Sequence, residues 1–216
     1  MAKIGYVFDA YGTLFDVHSA MRKLADEVGP DYAAISDTWR NKQLEYSWVR
    51  SLMGSYQEFW KLTGDALDFA LKHHDRDDAA LRDKLMEQYW TLDAYDDVLP
   101  TLKRLREDGN RIAILSNGSP DMLKAATESS GISELVDEVF SVDAVKVFKT
   151  SPDVYRMVTD AWDCPAKSVG FVSSNRWDIA ATSKFEFKTV WLNRSGATDE
   201  YLNYPPQRMI ATLAEL

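Results

Sequence analysis

The sequence predicts an α/β protein built on a doubly wound parallel sheet, with a helical module inserted after the first strand. Three observations carry this. From Leu99 onward, short apolar runs rich in β-branched residues alternate with amphipathic segments of about ten residues, the pattern of parallel βαβ units with right-handed crossovers. Ahead of that alternation, four helical segments follow one another between residues 17 and 93, a stretch too long for a loop. Polar residues also stand at the carboxyl ends of the apolar runs, the edge at which open α/β sheets hold their ligands.

The first strand is the run Ile4-Gly5-Tyr6-Val7-Phe8, stopped by Asp9 and by a turn at Gly12. Four helices follow: Val17 to Val28, closed by Gly29-Pro30; Ile35 to Met53, closed by Gly54; Tyr56 to His73; and Ala79 to Asp93. Alternation then resumes. Helices are expected over Leu99 to Glu107, Pro120 to Ser130, Asp153 to Trp162, Trp177 to Phe185 and Pro206 to Leu216, and strands over Arg111 to Ser116, Glu138 to Val142, Ser168 to Ser173 and Thr189 to Leu192. The expected division is a core of residues 1–15 and 95–216, with residues 16–94 as the inserted helical module.

Composition excludes several classes of function. With 45% hydrophobic residues over 216 positions the chain can bury a real core, so disorder is not expected. A net charge of −9 disfavours nucleic acid or an anionic membrane as partner, since both reward clustered Lys and Arg. The single cysteine, Cys164, leaves no internal disulfide, and it reads as a packing residue because no histidine lies near it. With no signal peptide pattern and no run of about 18 apolar residues, a cytoplasmic protein is expected. His73 and His74 are adjacent, point to different sides of a helix, and read as surface residues.

The strand ends carry the functional signal. They present Asp9, the pair Ser116-Asn117, Lys149 beyond Val147-Phe148, and Ser173-Ser174-Asn175-Arg176-Trp177-Asp178. Singly, each has a bland reading: Asp9 capping the next turn, Ser116 capping the helix at Pro120, Lys149 as a solvated tip. Converging on one edge of a parallel sheet, they make a site. On the second helix Arg40, Leu44 and Trp48 fall at i, i+4 and i+8, so a cation shares a face with an apolar wall; the alternative is a core stripe with an arginine at its margin.

These residues resemble the haloacid dehalogenase superfamily, and within it the L-2-haloacid, or (S)-2-haloacid, dehalogenases. The resemblance rests on Asp9-Ala10-Tyr11-Gly12-Thr13-Leu14, Trp39-Arg40-Asn41-Lys42-Gln43-Leu44-Glu45-Tyr46, Leu115-Ser116-Asn117-Gly118, Val147-Phe148-Lys149 with Pro152 and Tyr155, and Phe171 through Asp178. It implies a Rossmann-like haloacid dehalogenase core with residues 16–94 as a helical cap domain. It implies Asp9 as the nucleophile that displaces halide from C2 of a small anionic 2-haloacid with inversion, giving an ester that water hydrolyses. It further implies that Lys149 keeps Asp9 ionised, that Asp178 activates the water with Ser173 and Asn175, and that Thr13 and Tyr155 orient these groups. Ser116 would contact the substrate carboxylate. Arg40, Asn117 and Trp177 would cradle the halide, with Tyr11 and Leu44 lining the pocket, whereas Phe59 and Trp60 are expected to serve mainly in helix packing. Relatives form homodimers, and the same is expected of this chain.

Two chemical points favour this over a Mg²⁺-dependent phosphatase of the same superfamily. Such phosphatases carry a second aspartate two residues after the nucleophile to protonate the leaving alcohol; Tyr11 stands there, and a departing halide needs no proton. They also gather carboxylates after the last motif to hold Mg²⁺, where this chain has Ser173, Ser174 and Asn175 with only Asp178. No metal and no cofactor is therefore expected. A third reading, a non-catalytic binding descendant, is disfavoured by the intact Asp9, Lys149 and Asp178. The chain departs from the family pattern at Thr150, where many relatives have proline, at Ala181, and at Glu186, which replaces a glycine. If Glu186 takes a left-handed helix cap, the replacement costs about 1 kcal/mol.

Overall fold

A central parallel sheet organises the computed structural model, which describes residues 5–216; Ile4, at the head of the expected first strand, lies outside the described residues. The strands are β1 (Gly5–Phe8), β2 (Arg111–Ser116), β3 (Glu138–Ser141), β4 (Val169–Ser173), β5 (Lys188–Leu192) and β6 (Arg208–Ile210), in the order β3-β2-β1-β4-β5-β6. β1 lies between β2 and β4, with Phe8 opposite Ile114 and Val172. Its apolar run is dictated by that place: Val7, Phe8, Ile114, Phe171 and Val172 are all fully buried, as a strand covered on both faces requires. The direction of winding reverses between β1 and β4, so their carboxyl ends open the crevice in which such sheets bind ligands.

Between β1 and α6 (Val98–Glu107) run the inserted helices α1 (Ser19–Lys23), α2 (Ala25–Val28), α3 (Tyr32–Leu52), α4 (Phe59–His73) and α5 (Ala79–Trp90). α3 buries Ile35, Trp39, Gln43 and Ser47, a stripe at fourfold spacing that packs on α4. The insertion leaves and returns through a narrow neck. Asp16 N–H donates to Asp93 O at 2.8 Å, Tyr95 N–H donates to Leu14 O at 3.1 Å, and Phe15 and Ala94 form an antiparallel bridge. Beyond α6, the crossovers are α7 (Pro120–Ser129), α8 (Pro152–Trp162) and α9 (Arg176–Lys184). Among the described residues no helix is long and apolar enough to cross a membrane.

Three expected elements differ. The helix expected over Val17 to Val28 is two short ones, broken at Leu24, whose N–H closes a tight turn on Met21 O at 3.2 Å while its side chain packs against the core. The helix expected from Tyr56 starts only at Phe59, because Tyr56 is drawn away to stack on Phe148 (5.0 Å) and to donate its hydroxyl to Asp143 Oδ1 (2.8 Å). The last helix, expected over Pro206 to Leu216, is instead β6 followed by a single turn at Leu213–Glu215. The open edge of β5 decides this: Asn193 N–H donates to Ile210 O (2.8 Å) and Gln207 N–H to Thr189 O (3.1 Å), satisfying backbone groups that a helix would leave unpaired. Asp97 then anchors the terminus, accepting from Thr212 Oγ1 at 2.7 Å and Leu213 N–H at 2.8 Å.

Glu186, just past the end of α9, has φ +69°, the left-handed conformation in which a side chain is strained. Its exposed pairing with Lys167 at 3.3 Å offers little in return. Glu186→Gly is expected to stabilise the protein by about 1 kcal/mol, a rise of roughly 2–4 °C in melting temperature, while Glu186→Ala gives no such gain. Thermal unfolding of the two variants checks this, and equal melting temperatures would refute the strain argument.

Candidate active site

Asp9 follows β1 directly and continues its pairing, its N–H donating to Val172 O at 2.9 Å. The residue is only 4% exposed, and each of the four hydrogen bonds to its carboxylate comes from a side chain, which is not the pattern of a turn cap. Oδ1 accepts from Lys149 Nζ at 2.9 Å. Oδ2 accepts from Asn175 Nδ2 at 2.7 Å, Thr13 Oγ1 at 2.9 Å and Ser173 Oγ at 3.3 Å. The two hydroxyls are pre-aimed: Thr13 Oγ1 already accepts Ser174 N–H (2.8 Å) and Ser173 Oγ accepts Asn175 N–H (3.1 Å), which leaves their own protons for Asp9. The chain passes between Asp9 and Thr13 through Gly12 at φ +90°, where a Cβ would also crowd Ser174 Oγ at 3.3 Å.

Lys149 is 1% exposed and its ammonium lies between two carboxylates, donating to Asp178 Oδ2 at 2.7 Å as well as to Asp9. Asp178, in the first turn of α9, is fully buried and accepts from Tyr155 Oη at 2.8 Å on its other oxygen. Burial pushes the Asp178 carboxyl up, against the opposing pull of Lys149, to about 6. Burial would lower the Lys149 ammonium, but Asp178 and Asp9 outweigh it and hold it above the ordinary lysine value. Burial likewise keeps the Tyr155 phenol neutral, well above the usual tyrosine range.

Ser116 and Asn117 close β2 on the same edge. Ser116 Oγ accepts Gly118 N–H at 3.1 Å, and Asn117 Oδ1 accepts Lys149 N–H at 2.9 Å, so the asparagine ties the lysine's backbone to β2 and keeps its Nδ2 group as the end available to a ligand. Gly118 is a matter of space: a Cβ there would sit 2.7 Å from the Tyr11 ring. That ring is buried, stacked on Tyr89 at 5.8 Å, and 6.2 Å from Phe59; burial raises its phenol well above the usual range.

The helices of the insertion form the roof. Arg40 reaches down from α3 and donates through Nη2 to Tyr11 O at 3.2 Å and Asn175 Oδ1 at 3.3 Å. Asn117, expected with Arg40 and Trp177 around the halide, makes its own contact through Oδ1 with Lys149 N–H, while Arg40 is tied to Asn175. Leu44 is half-buried, and Trp48 meets Trp177 edge-on at 5.5 Å and 83°. Phe59, expected mainly to pack helices, is buried with its ring 6.2 Å from Tyr11 and 6.0 Å from Phe148; Trp60 packs on Trp90 at 4.1 Å. Sequence reasoning passed over Ser174, whose N–H sets the Thr13 hydroxyl, and Arg176, a buried arginine whose backbone partners lie far along the chain. His73 is exposed, while His74 and Cys164 are half-buried.

The arrangement sets one buried ammonium between two buried carboxylates. Comparison with known proteins shows the family. The haloacid dehalogenase-like hydrolase family matches residues 5–185. The chain is 46% identical to (S)-2-haloacid dehalogenase 4A of Burkholderia cepacia, over 97% of this chain and 91% of that one, and 44% identical to (S)-2-haloacid dehalogenase 1 of Pseudomonas sp. (strain CBS-3), over 97% and 93%. Among solved structures it superposes on a dehalogenase at TM-score 0.96 and 44% identity, covering 99% of this chain and 95% of that one. It also superposes on the L-2-haloacid dehalogenase of Xanthobacter autotrophicus with chloropropionic acid covalently bound, at TM-score 0.89 and 33% identity, covering 99% and 96%. On fold, on sequence over almost its whole length and on the residues gathered at the strand ends, this chain belongs to the (S)-2-haloacid dehalogenases of the haloacid dehalogenase-like hydrolase family.

Proposed function

We propose that the protein hydrolyses small (S)-2-haloalkanoic acids, such as chloroacetate and 2-chloropropionate, to 2-hydroxy acids with inversion at C2. The observation that carries this reading is Lys149 between Asp9 and Asp178: both carboxylates are committed to one buried ammonium. With Tyr11 where a phosphatase keeps its acid, the leaving group is one that departs without a proton. We therefore read the chemistry as needing no metal or cofactor.

In the first step an Asp9 oxygen attacks C2 and the carbon–halogen bond breaks, its electron pair leaving with the halide. Arg40, and the Nδ2 group of Asn117, supply donors to the developing anion beside the Trp177 ring; one well-placed donor in a site shielded from water is worth about 2.7–4 kcal/mol. Ser116 and Lys149 hold the substrate carboxylate, and Tyr11 and Leu44 line its apolar side. In the second step Asp178 takes a proton from water as it attacks the Asp9 ester carbon. The ester C–O bond breaks, the 2-hydroxy acid leaves with that proton on its oxygen, and Asp9, left as the carboxylic acid by the water's second proton, releases that proton to solvent and is regenerated. Tyr155 orients Asp178 throughout. Residues 16–94 serve as a cap that opens about the Phe15–Ala94 neck, since Asp9 is too buried to admit substrate in the closed form. We place the protein in the cytoplasm.

A single turnover in H₂¹⁸O with enzyme in excess tests the ester. The first product carries oxygen from Asp9 and is unlabelled, the label appears on the peptide containing Asp9, and EDTA changes neither result. Labelled product would mean that water attacks C2 directly, and loss of turnover in EDTA restored by Mg²⁺ would favour the phosphatase reading. Asp9→Ala abolishes halide release while the fold survives.

The pH dependence follows from Asp178. The ionised form is the base, and its carboxyl is raised to about 6, so ester hydrolysis falls as pH drops through about 6, approaching tenfold per unit below it. Lys149, held above its ordinary value, stays charged throughout the neutral range. Single-turnover rates from pH 4.5 to 8 check this; a flat profile would remove Asp178 from the role.

We further propose a homodimer, in keeping with the exposed apolar side chains Met53, Phe69 and Met209. Sedimentation at micromolar concentration is expected to return about twice the 24.6 kDa of one chain, and a mass near one chain would refute it.

A further inference from the structure

Beside the site lies an open groove of about 740 Å³, and its composition is not that of ordinary surface. Trp48 and Leu52 of α3 contribute to it, as do Tyr201 and Tyr204 from the segment after β5, with Ala181 of α9 also lining it. Its other lining residues include Lys149, Tyr155 and Trp177, which belong to the site itself. Leu52 is 89% exposed, and Tyr201 and Tyr204 are 47% and 39% exposed. One exposed apolar side chain is commonplace; several around a groove that ends on catalytic groups are not.

The tyrosines are held there by a costly device. Arg176 is only 5% exposed, and removing a guanidinium from water is unfavourable unless its donors are used. Its Nε donates to Asp199 Oδ1 at 2.5 Å, and its Nη2 donates to the backbone oxygens of Tyr201 at 3.2 Å and Tyr204 at 3.0 Å. The same guanidinium lies against the Trp191 and Tyr201 rings, at 5.7 Å and 5.8 Å. Nη1 is buried without a partner, so the arrangement is not optimised for Arg176. What it accomplishes is to fix the two groove tyrosines to the first turn of α9, the turn that also carries Trp177 and Asp178.

We infer that this groove receives the hydrocarbon tail of the substrate, so that the protein favours 2-haloalkanoic acids with an alkyl chain of several carbons over the two- and three-carbon acids. This rests on the dehalogenase reading above. The occupant is the tail because the groove starts at Lys149 and Trp177, where that reading places the substrate carboxylate and the departing halide, the two groups carried by C2, and because what it offers beyond them is largely apolar. Trp177 meets Trp48 edge-on, so the two indoles bound the groove where it meets the site.

The test compares kcat/KM for bromide release from (S)-2-bromopropanoate and (S)-2-bromooctanoate, which share a leaving group, in the unaltered protein and in Leu52→Glu and Ala181→Phe. Burying a methylene favours binding roughly two- to fourfold, so the eight-carbon acid is expected to lead by at least tenfold. A charge at Leu52, or a ring filling the groove from Ala181, cuts that lead at least fivefold while bromopropanoate stays within twofold of its original value. Leu52 is so exposed that its variant keeps the test decisive even if Ala181→Phe fails to fold. No advantage for the long acid, or an advantage undiminished in the variants, overturns the inference. Equal losses for both acids overturn it too, since they would make the groove an access route and not a tail site. Bromide from neither acid would instead sink the proposed function.

Discussion

The buried ammonium of Lys149 is the interaction on which the rest of the site depends. Two carboxylates a few ångströms apart in a dry interior repel, and each alone would be expensive to keep ionised. Lys149 makes the pair tolerable, and its position is itself over-determined: Asn117 accepts its backbone N–H, and the Phe171 ring lies 5.3 Å beneath the ammonium. Remove that charge and one carboxylate must take up a proton. The fold contributes by bringing three elements to one edge: β1 supplies Asp9, the loop before α8 supplies Lys149, and α9 supplies Asp178.

Around this fixed centre the inserted helices supply what the core lacks. Arg40 is a cation aimed at the crevice from a different layer of the protein, and its bonds to Tyr11 O and Asn175 Oδ1 make the Asn175 amide a link between roof and floor. Since Asn175 Nδ2 binds Asp9, the geometry at Asp9 is coupled to whether α3 is seated. The neck suits such a layer: it is narrow and backbone-paired, and Phe15 also pairs with Tyr11 in the turn that carries Thr13 to Asp9.

Much of this was legible in the sequence because a parallel sheet sends all its strand ends to one side. Once β1, β2 and β4 are read from their apolar runs, Asp9, Ser116 and Ser173 must be neighbours, and the structure brings them together. What escaped depends on long-range backbone geometry. Ile210, Leu213 and Leu216 are spaced as on a helix, yet the free edge of β5 captures the segment as β6, because a hydrogen-bonding edge outweighs a weak local preference. The role of Arg176 was invisible because two of its partners are carbonyl oxygens, which no side-chain pattern encodes.

The three donors on Asp9 Oδ2 have a consequence for the second half of the proposed reaction. When water adds to the ester carbon, the carbonyl oxygen of the alkylated aspartate becomes an oxyanion. If Oδ1 forms the new bond, that oxyanion is Oδ2, already facing Asn175 Nδ2 and the pre-aimed hydroxyls of Thr13 and Ser173. The tetrahedral intermediate is then stabilised by dipoles already in place, since backbone N–H groups hold both hydroxyl oxygens beside Oδ2 beforehand. The groups that solvate the nucleophile before attack are thus the same ones that release it afterwards.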